Sequence, residues 1–216
     1  MKVCEFSFRE LDRKWVGIES KKFCKKIAKK IKMRKLLCPI FGYFYIDKEN
    51  GLSLRVLGNI ERDGRNKLYL DNELIFDEEK VVDYEFVSKF EIELLDEEVV
   101  KCIEGSTVIE NKLDVHYKNI NNFLDTRNME ELDSFRNDAF VDDVQVLLKN
   151  KGEDPDELLW ARIEGIMDVK PDVLICKLLS SSYYNEEYSE DVMVGIKYFA
   201  DEESLKIVGL LKRREK

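Results

Sequence analysis

Leu158-Leu159-Trp160-Ala161-Arg162-Ile163-Glu164-Gly165-Ile166 is a run rich in aliphatic side chains, preceded by Asp154-Pro155-Asp156 and followed by Pro171-Asp172. An apolar run bounded by such turn residues reads as a β-strand. Similar runs flank it at residues 144–148, 173–179, 191–199 and 204–211, with Gly152, Asp154-Pro155, Pro171-Asp172 and the polar loop 180–190 between them. Five consecutive strands joined by turns predict an antiparallel meander, half-closed or closed into a small barrel. This C-terminal half decides the fold class: α+β, mainly antiparallel sheets.

Upstream the pattern is mixed. Alternation predicts a strand over residues 3–8, and Trp15 to Ile18 reads as a short one. Phe23, Cys24, Ile27, Ala28 and Ile31 recur at three- and four-residue spacing, which predicts an amphipathic helix within residues 20–35, with Ser20 as its N-cap. Strands over 36–47 and 52–57 surround Lys48-Glu49-Asn50-Gly51, a hairpin signature. Asp63-Gly64 suggests a further turn, with edge strands at 67–70 and 74–76. Tyr84, Phe86, Phe90, Ile92 and Leu94 share one parity and read as a strand, and so do Leu113, Val115 and Tyr117. A short helix over 96–104 is expected to end at Gly105, and another, over 129–135, to start behind Asn128. The polar stretch 119–128 is the expected boundary between domains 1–122 and 123–216.

Charge is divided unevenly along the 216 residues. Residues 13–35 hold eleven Lys and Arg against Glu19, a net +10 in a chain of net −9, so the remainder carries −19. Lys25, Lys26, Lys29 and Lys30 lie on the polar side of the expected helix. Lysines on one helix face suit nucleic acid or an anionic membrane surface, and they equally suit a solvated outer face that offsets an acidic body. A pI near 5.0 and the scarcity of aromatic residues among those lysines favour the second reading.

Cys4, Cys24, Cys38, Cys102 and Cys176 are odd in number, widely separated and never in a C-x-x-C pair, so neither a disulfide framework nor a thiolate metal site is expected. Small buried thiols in a reducing cytoplasm are. The longest apolar stretch, residues 36–46, is too short to cross a bilayer as a helix. The single histidine, His116, removes His-based triads and two-His metal sites. Neither a phosphate-binding glycine loop nor a nucleophile elbow occurs, so no cofactor is expected. Asp142-Asp143 and Asp154 with Asp156 are conceivable metal or acid/base pairs, though among 45 acidic residues chance adjacency is ordinary.

Two features suit binding. Trp160 and Arg162 project from one face of their strand, which fits either a cation–π platform or a Trp anchoring the core with an Arg stem packed beside it. The loop bearing Tyr183, Tyr184 and Tyr188 among Ser and Asn has the composition of protein-binding loops, or supplies rings that cover a barrel end.

Asp138-Ala139-Phe140-Val141-Asp142-Asp143-Val144-Gln145-Val146, with Glu153-Asp154-Pro155-Asp156-Glu157 and Leu159-Trp160-Ala161-Arg162, resembles small uncharacterised bacterial proteins with a β-rich C-terminal domain. The resemblance implies a bacterial cytoplasmic protein with a barrel-like C-terminal domain and carries no activity. The expected function is a non-catalytic interaction protein whose acidic body meets a protein partner. Alternatives are a metal-dependent hydrolase using Asp and Glu, and peripheral binding to nucleic acid or membrane through the basic helix.

Overall fold

A computed structural model describes residues 1–33, 38–47, 49–62, 68–70, 80–113, 125–150 and 152–211. They form two compact units, Met1–Asn119 and Ile120–Lys216.

In the first unit the strands are β1 Trp15–Ile18, β2 Ile40–Asp47, β3 Gly51–Gly58, β4 Ile60–Arg62, β5 Leu68–Leu70, β6 Val81–Asp83, β7 Glu93–Leu94 and β8 Ile103–Glu104. An antiparallel sheet runs in the order β6-β3-β2-β1-β7, and β4-β5-β8 make a second, small sheet. The β2–β3 hairpin forms as its sequence predicts: Asp47 Oδ1 accepts from the amides of Glu49 (2.8 Å) and Asn50 (2.9 Å), and Asp47 pairs with Gly51. All eight residues of β3 are buried, so this sheet is covered on both faces. Phe44, Ile46, Leu52 and Leu54 are its heart, each worth about 1.5–3 kcal/mol on burial.

The helices are α1 Phe8–Leu11, α2 Lys21–Lys30, α3 Tyr84–Val87, α4 Glu97–Lys101 and α5 Ser106–Leu113. The basic helix α2 buries Cys24 and Ile27, with Ile31 just beyond, and stacks Phe23 on Phe90 at 4.3 Å. Ser20 stands at its N-cap, but its carbonyl accepts from the amide of Cys24 and its side chain makes no capping bond.

Four local expectations are corrected. Residues 3–8 are not a strand: the Ser7-x-x-Glu10 capping box, with Ser7 N donating to Glu10 Oε2 at 2.7 Å, starts α1 directly after a 3-10 turn over Val3–Glu5. Residues 84–94 hold α3 and only the two-residue β7, because the Asp83 carboxylate caps the amide of Phe86 at 2.9 Å. Gly105, at φ +88, does not end a helix but opens α5, whose last residue is Leu113. Val115, His116 and Tyr117, the turn at Asp63-Gly64 and the strand at 74–76 lie outside the described residues. Asn128 caps nothing: the next helix, a 3-10 segment over Glu130–Phe135, has Met129 at its N-cap.

The cysteines are free thiols, but not all are isolated. Cys24 Sγ lies 3.0 Å from Cys38 Sγ. Burial, then the hydrogen bond and charge of Cys38, push the Cys24 thiol up to about 12. Cys38 is the more accessible partner. A thiol oxidant such as diamide, itself reduced by the two hydrogens removed, is expected to link this pair before any other. Peptide mapping that finds 24 and 38 unlinked while other cysteines react would refute this expectation.

The second unit is a closed barrel of β9 Asp143–Leu148, β10 Glu157–Met167, β11 Lys170–Leu178, β12 Met193–Phe199 and β13 Ser204–Leu210. An odd number of alternating strands closes on a parallel pair, here β13 with β9 through Lys206 and Leu147. Val144, Val146, Leu159, Ala161, Ile163, Leu174, Cys176, Leu178, Val194 and Ile196 fill the interior. Register shifts at Gly165 (φ +154) and at Gly195 bend β10 and β12 for closure. At the end where β9 begins, the 3-10 segment adds fully buried Leu132 to the interior cluster.

Candidate functional site

The other end of the barrel carries the two longer connections, residues 149–156 and 179–192. Between them they hold seven carboxylates and two lysines. The longer one is tightly braced. Glu157, the first residue of β10, reaches across to it: Oε2 accepts from the Ser182 hydroxyl, and Oε1 accepts from the amide of Tyr183 at 2.8 Å. Ser182 Oγ accepts in turn from the amides of Tyr184 (3.2 Å) and Asn185 (2.9 Å). Ser182 N donates to the Tyr188 carbonyl at 2.7 Å, Ser181 Oγ accepts from Glu190 N, and Ser180 Oγ accepts from Trp160 N.

The three tyrosines then separate into two roles. Tyr188 packs against the interior cluster and covers the barrel end. Tyr183 and Tyr184 point outward, 87% and 44% exposed, and meet edge to face at 5.0 Å. Leu158, 63% exposed, follows Glu157 on the adjoining strand. Two rigid rings on a loop whose backbone is already ordered lose little entropy on contact.

Glu157 is the organiser. Burial pulls its carboxyl upward, but hydrogen bonds from Ser182, the Tyr183 amide and Asn150 outweigh this and hold it below the usual glutamate range. A carboxyl lowered in the folded state stabilises above its unfolded pKa of about 4.3 and loses that contribution as pH falls through the lowered value. Protection of the Tyr183 amide, its exchange measured against the intrinsic rate at the same pH, is therefore expected to fall as pH drops below that range, and to be low already at neutral pH in Glu157→Gln. Unchanged protection in that variant would show that Glu157 does not order the loop.

Trp160 and Arg162 do share the outer face of β10, both half-buried, while Leu159, Ala161 and Ile163 point inward. Trp160 is thus outside the interior cluster rather than its anchor. Arg162 forks on to Asp143, Nε to Oδ1 at 2.6 Å and Nη2 to Oδ2 at 2.9 Å, with its guanidinium carbon 6.0 Å from the Phe140 ring. Arg127 holds Asp142 in the same way. Both acids of the Asp142-Asp143 pair are engaged by arginine. Among the described residues no group of three or more His, Cys, Asp or Glu side chains is placed to hold a metal ion.

On α2, the lysines also divide. Lys30 pairs with Asp83 at 3.1 Å and lies over Phe86, and Lys26 lies over Phe90. Lys25 and Lys29, with Lys21 and Lys22, are exposed and make no ion pair among the described residues. Sequence reasoning did not single out Glu157, Ser182 or Leu158. An acid that opens a strand is an ordinary event, and nothing local ties it to a serine 25 positions on.

No family model matches the chain, and neither a curated protein nor a solved structure is significantly similar to it. No helix among the described residues is long and apolar enough to cross a membrane.

Proposed function

We propose that this is a non-catalytic interaction protein whose barrel unit docks a Lys- and Arg-rich segment of a partner protein on the tyrosine loop. The observation that carries the reading is the exposed Tyr183–Tyr184 pair, held on a braced loop amid carboxylates. Aromatic rings supply contact area and cation–π attraction, and the surrounding acids steer cationic groups toward them. Residues 120–216 hold 22 acidic and 13 basic residues, net −9, so the chain's entire net charge falls in this unit. The test is fluorescence anisotropy with labelled peptides of equal length, Lys/Arg-rich, neutral and acidic. Saturable binding of the basic peptide alone supports the proposal. Equal affinity for all three, or none, defeats it.

A second reading rests on α2, where Lys21, Lys22, Lys25 and Lys29 form an exposed arc. Such an arc suits polyanions, with a salt-dependent affinity. Heparin chromatography checks it: the chain is expected to bind at low salt and to elute earlier once Lys25 and Lys29 are changed to Glu. Passage without delay at low salt removes this reading.

A further inference from the structure

In the first unit a cleft of about 450 Å³ opens beside β1. Arg13 and Lys14 approach it from the turn before β1, Glu97, Val100 and Lys101 come from α4, and Ser106, Thr107 and Glu110 come from α5. Trp15, only 3% exposed, and Leu95 complete the lining. We propose that this cleft binds a small phosphate monoester, with the phosphate at the N-terminus of α5 and the organic part against Leu95, Val100 and Trp15.

Three independent observations lead there. The Gly105 carbonyl accepts the first helical bonds of α5, from Val108 at 3.0 Å and Ile109 at 3.1 Å. The amides of Ser106 and Thr107, ahead of them, have no partner among the described residues. Free amides at the positive end of a helix dipole are a site for an anion. Gly105, at φ +88 and with open space where a Cβ would stand, lets the chain enter the helix without a side chain over that end. No acid occupies the first turn of α5.

Ser106 is the second observation. It is 93% buried, since only 7% of its surface is exposed, yet it lines the cleft and its hydroxyl makes no hydrogen bond among the described residues. Its oxygen is not among the fully buried side-chain atoms that lack a partner, so the little surface that remains opens on the cleft, where the hydroxyl can donate to a ligand acceptor.

The charge of the lining is the third. Arg13, Lys14 and Lys101 face Glu97 and Glu110, a net +1 before the helix end is counted. Glu110 commits one oxygen to the Trp15 indole at 2.8 Å, and Glu97 lies 4.0 Å from Lys101. Lys14 is exposed and makes no ion pair among the described residues. The volume lies toward the lower part of the range for small-molecule sites, roughly 300–1,000 Å³, and is larger than an inorganic ion needs. An ester rather than a bare ion fits that space.

Trp15 supplies the readout, because the chain has two tryptophans and only this one lines the cleft. Two indole N–H signals are followed by NMR, assigned with Trp160→Phe, while the full chain is titrated with n-butyl phosphate, inorganic phosphate and, at matched ionic strength, sodium chloride. The expected result is a saturable shift of the Trp15 signal with both phosphates, tighter for the ester, while Trp160 stays still. Ser106→Ala is expected to weaken the ester by about tenfold, the scale of one hydrogen bond to a charged group. The exposed change Lys14→Gln should weaken it as well. No saturable shift, a shift that chloride reproduces, or unaltered affinity in both variants would each overturn the proposal.

Discussion

Asp142→Ala is expected to destabilise the barrel unit by about 3–5 kcal/mol, the cost of leaving one member of a buried ion pair without its partner. The Arg127 side chain is 5% exposed and that of Asp142 15%, and two parallel hydrogen bonds of 2.9 and 2.6 Å join them. With the carboxylate gone, the guanidinium stays in low dielectric and loses both hydrogen bonds of the fork and the charge that faced it. For a unit of this size the loss corresponds to a fall in Tm of roughly 15 °C or more. Urea unfolding followed by Trp160 fluorescence in a Trp15→Phe background measures it. The paired change Arg127→Met with Asp142→Leu should recover much of the loss, because it removes both charges together. A single variant within about 1 kcal/mol of the parent, below the range for a broken buried pair, would mean that the pair is solvated in practice. The exposed pair Lys197–Asp172, with side chains 39% and 57% exposed, is the natural contrast and should respond little.

That pair shows where sequence reasoning runs out. The five C-terminal strands are legible because each is bounded by its own turn residues, a local signal. Closure is not, since it depends on Lys206 meeting Leu147, and no residue near either announces the other. Asp142-Asp143 looks like a metal pair in one dimension. In three, Arg127 and Arg162 arrive from 15 and 19 positions away to take each acid. The errors in the first unit have a different origin. Phe86 and Phe90 are four apart, a spacing that shares a face in a helix and a parity in a strand, so periodicity cannot choose between them. The caps chose: Asp83 before α3, and Ser7 with Glu10 around α1. Gly105 misled for a related reason, since glycine more often closes a helix than admits the next, and here it does the second. Of the candidate site, the Tyr, Ser and Asn composition of the loop was readable. Its bracing by Glu157 was not.

Changing Tyr183 and Tyr184 together to alanine is expected to weaken binding of the basic peptide by about 30-fold or more, a loss of at least ~2 kcal/mol that is typical of an aromatic hot spot. Folding should be untouched, because neither ring belongs to the interior cluster. The two contributions to the proposed contact are separable by salt. Attraction to Glu186, Glu187 and Glu190 is screened as ionic strength rises, while ring contact is not. In the double variant the residual affinity should therefore fall away steeply with salt, whereas the parent keeps a salt-resistant part. Glu157→Gln tests the remaining element, rigidity. It leaves both rings and the other carboxylates in place but removes the charged acceptor for Ser182 and the Tyr183 amide. An affinity between those of the parent and the double variant would show that ordering the loop beforehand contributes to binding. If the double tyrosine variant bound the peptide as tightly as the parent, charge alone would hold the partner, and the loop would be only the cover of the barrel end that Tyr188 already provides.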